Sequence, residues 1–142
     1  MRASFSEGFR AVKRVFISFR HEDKAQVNGL RLLAANDKFD IEFYDESLGK
    51  AIDSQDAKYI KSKIKEKIAR TSVTVCMVSA LTHTSEWVNW ELEESFSKGN
   101  KIICMGFKDG PAQLTLPALA RQLKLDWCVW DHDHLARLIE EK

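Results

Sequence analysis

Residues 85–96, with the sequence SEWVNWELEESF, predict the helix on which the interpretation of this chain depends. At 3.6 residues per turn one side of that helix is expected to meet a core. The residues on this side are Val88, Leu92, Ser95 and Phe96. Glu91 lies at the margin of the same side, one turn after Trp87. Because an ionised carboxylate is rarely buried without a partner, Glu91 is either a rim carboxylate paired with a Lys or Arg, or a catalytic acid in a cleft.

Short apolar runs around this helix predict the strands of a sheet. They occupy residues 14–19, 41–44, 73–78, 101–107 and 127–130. Between the strands, apolar residues recur at helical spacing, for example Ala57, Ile60, Ile64 and Ile68. Nearly continuous apolar strands suit a parallel sheet that is covered on both faces. The alternation therefore predicts an α/β, flavodoxin-like three-layer fold with a central, mostly parallel five-stranded sheet and helices on both faces.

Length and composition favour a single cytoplasmic domain. The chain has 142 residues, 44% of them hydrophobic, and a net charge of +1. We expect one domain over residues 1–142, with a lead-in at 1–13, a motif region at 14–107 and a C-terminal strand and helix at 108–142. The balanced charge gives no basis for a nucleic-acid partner, and no apolar run approaches a membrane span. Cys76, Cys104 and Cys128 are predicted to be buried free thiols, as in a reducing compartment.

Three segments are expected to converge at the carboxyl end of the sheet, where open α/β folds bind ligands near the switch in strand order. They are residues 19–22, 45–49 and 79–87. The chain lacks the Gly-rich fingerprints of nucleotide-binding loops, so a tightly held dinucleotide is not predicted. The pair His132 and His134 lacks a third clear ligand, so we predict neither a metal nor a cofactor. A phosphorylated receiver domain is a weaker alternative, because the third strand ends in Val78 and Ser79 without an acceptor aspartate.

Several stretches of the sequence resemble TIR domains. The run VFISFRHED (15–23) resembles their opening strand and first loop, and FYDE (43–46) with LG (48–49) resembles their second strand and BB loop. TSVTV (71–75) and SEWVNWEL (85–92) resemble their third strand and Trp-x-x-x-Glu helix. The run THTS (82–85) is similar to the TIR-like branch that includes the ThsB subunit of bacterial Thoeris anti-phage systems. The resemblance covers roughly residues 14–107 and implies that the predicted three-layer fold is TIR-like.

The resemblance implies an enzyme that consumes NAD+ as a substrate. Glu91 matches the catalytic glutamate of the family's helix, and an NAD+ glycohydrolase or cyclase would break the bond between nicotinamide and ribose to release ADP-ribose or a cyclic isomer. The candidate substrate-binding residues are Phe19, Arg20, His21, Asp45, Ser47, His83 and Trp87. Phe19 or Trp87 would supply an aromatic platform for the nicotinamide. In the Thoeris-like branch the product is a diffusible nucleotide that activates a separate effector.

Two further readings stay open at this level. The first is a TIR-like or flavodoxin-like module that self-associates or signals without turning over NAD+. The second is the receiver-like signalling domain. Release of nicotinamide by the activated protein, and its loss on substitution of Glu91, would separate the enzyme from the first of these modules.

Overall fold

The described part of the chain is organised around a five-stranded sheet in which every neighbouring pair of strands is parallel. The computed structural model describes residues 13–27, 39–42, 52–106, 114–123, 125–129 and 131–140. The strands are β1 (Lys13–Ser18), β2 (Phe39–Glu42), β3 (Val73–Val78), β4 (Lys101–Gly106) and β5 (Asp126–Val129), in the order β2-β1-β3-β4-β5. This arrangement confirms the predicted α/β fold with a five-stranded sheet.

The described helices connect these strands in the manner of a doubly wound sheet. They are α1 (Lys24–Val27), α2 (Ala57–Ala69), α3 (Glu86–Lys98), α4 (Ala118–Leu123) and α5 (His132–Glu140). Short 3-10 turns precede two of them, at His21–Asp23 and Thr82–Thr84. From β1 the chain moves outward to β2, and it then crosses to the other side of β1 to form β3. The switch in strand order therefore lies between the carboxyl ends of β1 and β3.

Where both are described, the predicted and observed strand bounds agree to within two residues. β3 has the predicted bounds, β1 begins and ends one residue earlier than predicted, and β2 includes two residues before its predicted start. Those two residues, Phe39 and Asp40, pair in register with Lys13 and Arg14 of β1. Backbone pairing with a neighbour, which a local apolar pattern does not encode, sets where a strand begins.

Alternation along the strands divides the core between the two faces of the sheet. On one face, odd-numbered residues of β1, β3 and β4 pack with α1 and α5: Val15, Ile17, Val73, Val75, Met77, Ile103, Met105, Val27, Leu135, Leu138 and Ile139. On the other, even-numbered residues face α2, α3 and α4: Phe16, Cys76, Val78, Ile102, Cys104, Ile60, Ile64, Ile68, Val88, Leu92 and Ala120. Ser18 and Thr74 share the parity of this second face, so it carries both apolar and polar groups.

Helix α3 is defined by a cap at each end. The Ser85 hydroxyl accepts a hydrogen bond from the backbone N–H of Val88 at 3.2 Å and so caps the amino end of the helix. At the other end Gly99 adopts a left-handed φ of 95°, a conformation that favours glycine after a helix. These two residues fix where the helix begins and ends.

The buried side of α3 differs from the predicted one in two residues. Val88, Leu92 and Ser95 are buried as expected, but Phe96 is 52% exposed and Glu91 is only 5% exposed. The helix axis is rotated so that its centre line runs between Val88 and Ser95, which turns Phe96 outward. Glu91 thereby moves from the margin into the interface with the sheet.

Candidate functional site

The centre of the candidate site is a direct contact between helix α3 and strand β1. The Ser18 hydroxyl donates a hydrogen bond to Oε1 of Glu91 at 2.8 Å. Ser18 is the last residue of β1 and is fully buried, while Glu91 sits in the second turn of α3. The contact therefore places a carboxylate at the carboxyl end of β1, beside the switch in strand order.

Burial changes the acid–base behaviour of Glu91. Desolvation raises its pKa to about 8, and the hydrogen bond from Ser18 lowers it in part. Within the part of the chain that the structure describes, no Lys, Arg or His forms an ion pair with this carboxylate, so the rim-carboxylate interpretation does not hold there. With a pKa near 8, roughly a tenth of the Glu91 side chains are ionised at pH 7. The side chain is therefore poised to gain or lose a proton near neutral pH.

A row of three side chains crosses the sheet next to Glu91. Ser18 pairs in register with Cys76 of β3, which pairs with Cys104 of β4. The hydrogen bond between the two thiols, followed by burial, raises the pKa of Cys76 well above its usual value, and the nearby Glu91 contributes to the same shift. Both cysteines are buried free thiols, as predicted, whereas the side chain of Cys128 lies outside the described residues.

A second set of polar contacts joins the loops that follow β1 and β3. Oδ2 of Asp23 accepts a hydrogen bond from the Ser79 hydroxyl at 2.6 Å, and the backbone N–H of Ser79 donates to Thr82 Oγ1 at 2.7 Å. Asp23 and Thr82 are buried. These bonds hold the two loops together across the switch in strand order, which is where the sequence placed a ligand site.

The predicted residues of the first loop take different positions. Phe19 is buried in the core cluster with α1 and α5, on the face of the sheet away from Glu91. The Arg20 guanidinium forms an ion pair with Glu22 at 3.4 Å, and His21 is exposed in the 3-10 turn. Of the two aromatic platforms considered, the structure therefore leaves Trp87 as the one on the same side as Glu91.

Trp87 lies half-buried between helices α2 and α3. Its ring meets that of Trp90 edge to face, with centroids 5.9 Å apart, and both rings pack against the cluster around Phe16. Nζ of Lys61 on α2 lies 5.6 Å from the centroid of Trp90. An aromatic pair with a nearby cation is thus one helical turn from Glu91.

His83 lies in the 3-10 turn before α3 and is half-buried. Its carbonyl accepts a hydrogen bond from Nδ2 of Asn89 at 3.3 Å. Nδ1 of His83 and Oδ1 of Asn89 are buried and have no hydrogen-bond partner among the described residues. Such atoms are uncommon in folded proteins, and they are able to bind the polar groups of a ligand.

Some expectations concern parts of the chain that the structure does not describe, and two residues escaped the sequence analysis. Asp45 and Ser47 lie outside the described residues, so their predicted roles stay predictions. Ser18 and Asp23 were inside the quoted motif but were not predicted as site residues. The parity of Ser18 with Phe16 at the end of β1 could have identified it, whereas the contact of Asp23 with Ser79 needs the tertiary structure.

Two searches of the described residues bear on metals and membranes. In residues 13–27, 39–42, 52–106, 114–123, 125–129 and 131–140, no three His, Cys, Asp or Glu side chains lie close enough together to hold a metal ion. None of the helices described is both long and apolar enough to cross a membrane.

Two solved structures share the fold at low sequence identity. One is a CMP N-glycosidase, BcmB, from Clostridium botulinum, with a TM-score of 0.59 and 14% identity over 89% of this chain and 98% of that one. The other is the TIR domain of the Toll-related receptor TRR-2 from Hydra magnipapillata, with a TM-score of 0.56 and 16% identity over the same shares of the two chains. Both support the α/β fold described above.

Sequence comparison identifies the family. A relative from Bacillus cereus strain MSX-D12, named "Putative cyclic ADP-D-ribose synthase ThsB1", is 32% identical over 104 residues, or 68% of this chain. The match spans 54% of that relative, about half of its length. Residues 16–109 match the family model described as "Thoeris protein ThsB, TIR-like domain". The chain therefore belongs to the ThsB-type TIR-like family.

Proposed function

We propose that this protein cleaves the bond between nicotinamide and ribose in NAD+ and produces an ADP-ribose-derived signal, cyclic or linear, for bacterial anti-phage defence. The observation that carries the proposal is the buried carboxylate of Glu91, which lies beside the strand switch of a TIR-like fold and forms no ion pair among the described residues. The name of the Bacillus relative supports the same chemistry. NAD+ is the substrate, and the reaction as proposed needs no separate cofactor.

The reaction places a positive charge on the ribose, and Glu91 is suited to stabilise it. As the bond breaks, its electron pair leaves with nicotinamide, which becomes neutral, and the ribose becomes an oxocarbenium-like cation. A carboxylate near that cation lowers the free energy of the transition state more than that of the ground state. Water, losing a proton, or an internal nucleophile of the same molecule then completes the bond to ribose. Glycosidases stabilise their transition states with carboxylates in the same way.

The high pKa of Glu91 agrees with a cationic substrate. The nicotinamide ring of NAD+ carries a positive charge, and a cation close to a buried carboxylate favours its ionised form. Glu91, mostly protonated in the free protein because its pKa is about 8, would lose its proton as NAD+ binds. The pH dependence of kcat/KM would then report the free-protein pKa, and that of kcat a lower one.

Residues at the amino end of α3 supply candidate contacts for the nicotinamide base. The half-buried Trp87 offers a ring edge or face one turn from Glu91, and the carboxamide of nicotinamide carries both a donor and an acceptor. His83 Nδ1 and Asn89 Oδ1, which have no hydrogen-bond partners among the described residues, are complementary to such a group. Arg20, His21, Asp45 and Ser47 remain proposed substrate contacts from the loops.

The family and the two buried thiols support the cellular setting of this proposal, a signal made in the cytoplasm. The product would act as a diffusible nucleotide on a separate effector, as the resemblance to the Thoeris branch implies. Two hydrogen-bonded thiols, Cys76 and Cys104, fit a reducing cytoplasm. Self-association stays part of the proposal.

Nicotinamide release, measured by mass spectrometry or chromatography, tests the proposed function. NAD+ is incubated with the protein alone and with the protein from phage-infected cells, because a resting enzyme can be silent. We expect release by the activated protein, and a loss of at least about 100-fold in Glu91→Gln, as for a removed electrostatic stabiliser of the transition state.

Glu91→Gln keeps the size of the side chain and its hydrogen bond from Ser18, so it serves as its own folding control when circular dichroism matches the native protein. Release at the native rate by Glu91→Gln would overturn the role of Glu91. The absence of release from every activated preparation would favour the non-catalytic interaction module.

A further inference from the structure

The structure singles out one residue beside Glu91 that acts on it from the sheet. Ser18 is fully buried at the end of β1, and its hydroxyl meets Oε1 of Glu91 at 2.8 Å. Within the described residues it is the hydrogen-bond donor to that carboxylate, and Oε2 has no donor there. The two residues are 73 positions apart in the chain, so tertiary folding alone creates the contact.

We propose that Ser18 is a positioning residue for the cleavage reaction: it holds one oxygen of Glu91 against the sheet and leaves the second oxygen for the substrate. The proposal rests on the proposed function, in which Glu91 acts as a carboxylate. Ser18 does not itself touch the reacting atoms in this scheme. It acts through Glu91, by fixing its orientation and by favouring its charged form.

The surroundings of Glu91 explain why one hydroxyl has this influence. Burial disfavours the ionised carboxylate, and no described cation compensates for it. The thiol of Cys76 sits next to Ser18 across β1 and β3, but a neutral thiol is a weak donor. A hydrogen bond from Ser18 to the charged form is worth about 1.5–3 kcal/mol in general, or about one to two pKa units. Ser18 therefore decides how much of Glu91 is ionised near neutral pH.

The same helix offers a matched control. Ser95 lies one turn after Glu91 and is as fully buried as Ser18. Its hydroxyl accepts a hydrogen bond from Thr74 Oγ1 of β3 at 2.7 Å. Ser95→Ala removes a buried hydroxyl from the same helix–sheet interface without touching the Glu91 contact. Any effect that arises from loosening this interface in general should appear in both Ser18→Ala and Ser95→Ala.

The test is a titration of the Glu91 carboxyl group by NMR on protein labelled with 13C at the glutamate carboxyl carbon. The signal is assigned by its loss in Glu91→Gln. We expect Ser18→Ala to raise the pKa of Glu91 by about one to two units, and Ser95→Ala to leave it within about 0.3 units. Ser18→Thr, which keeps the hydroxyl, should return most of the shift. If Ser18→Ala does not fold, Ser18→Cys, with a weaker donor of similar size, should move the pKa in the same direction by less.

Kinetics provide the second readout. In Ser18→Ala, kcat/KM at pH 7 should fall about tenfold or more and recover at higher pH, because the ionised fraction of Glu91 falls by that factor. An unchanged Glu91 titration in both Ser18→Ala and Ser18→Cys would overturn the proposal, as would equal shifts in Ser95→Ala. If no preparation releases nicotinamide, the proposed function fails, and the titration still decides whether Ser18 controls Glu91.

Discussion

Helix α3 meets the sheet through two buried polar contacts that differ in how completely their groups are paired. Near the carboxyl ends of the strands, Glu91 accepts one hydrogen bond from Ser18. Toward the amino ends of the strands, the Ser95 hydroxyl accepts one from Thr74, whose own hydroxyl also accepts one from Asn100 Nδ2 at 3.2 Å. The second contact belongs to a larger network, whereas the first leaves a titratable group with one donor among the described residues.

The network around Ser95 and Thr74, toward the amino ends of the strands, is completed by hydrogen bonds from Asn100, Thr71 and Lys98. Asn100 Nδ2 donates to Thr71 Oγ1 at 3.0 Å, and Thr71 Oγ1 in turn donates to the carbonyl of Ile68 at 2.8 Å. Nζ of Lys98 donates to Asn100 Oδ1 at 3.2 Å and to the carbonyl of Thr71. A satisfied network of this kind stabilises one arrangement of the chain and has little capacity for chemistry. The difference teaches that burial alone is a weak indicator of function, and that a buried titratable group with incomplete pairing is the better candidate.

The two contacts should differ most in how the free energy of unfolding depends on pH. The folded-state pKa of Glu91, about 8, lies above its ordinary value of 4.5, so the folded protein keeps a proton that the unfolded chain loses. The stabilisation of the folded protein by this retained proton is therefore fully present below pH 4.5 and is lost as the pH rises through about 8. Urea denaturation from pH 5 to 9 should show native protein losing stability relative to Glu91→Gln, by an amount on the order of 4 kcal/mol. Parallel curves for the two proteins would contradict this pKa.

A smaller loss of stability is expected when the network around Ser95 and Thr74 is disrupted. Asn100→Ala removes two donors and one acceptor from a buried network, which should lower the free energy of unfolding by about 2–3 kcal/mol. Activity per folded molecule should stay within about twofold. Urea denaturation and nicotinamide release measured on the same preparations check both statements. The pattern is the reverse of the one expected for Glu91→Gln, and a selective loss of activity in Asn100→Ala would break the comparison.

The smallest effect concerns the cap that starts α3 on the side of the candidate site. Ser85→Ala removes the hydroxyl that accepts from the Val88 N–H and should lower the free energy of unfolding by about 1 kcal/mol. Ser62→Ala on α2 is a matched control, since that exposed hydroxyl donates only to the carbonyl of Tyr59 within its own helix. Thermal denaturation compares them. Equal shifts of Tm in both variants would show that the cap has no specific role.

The sequence predicted most of the framework because its strands and helices have clear apolar periodicity. The alternation of β and α patterns was sufficient for the parallel sheet. The exposure of Phe96 was not predictable in this way. Periodicity defines a face only to within about one residue step of 100°, and packing against the sheet chose the rotation.

The candidate site shows the same division. The motif placed Glu91 and Trp87 one turn apart, and the family resemblance gave Glu91 its proposed role. Neither signal identified Ser18 as its partner, because the pair joins positions 73 residues apart. The same holds for Asp23 and Ser79, whose hydrogen bond links loops 56 residues apart.

By itself, the sequence determined the order and type of the elements, since these follow from local periodicity and capping. It also determined which carboxylate stands at the end of the sheet, since the Trp-x-x-x-Glu spacing is local as well. Only the tertiary structure decided that this carboxylate is buried, that it has one donor among the described residues and that its pKa lies near 8. Desolvation and hydrogen bonding depend on what surrounds a side chain in three dimensions, and those surroundings form when distant strands pair.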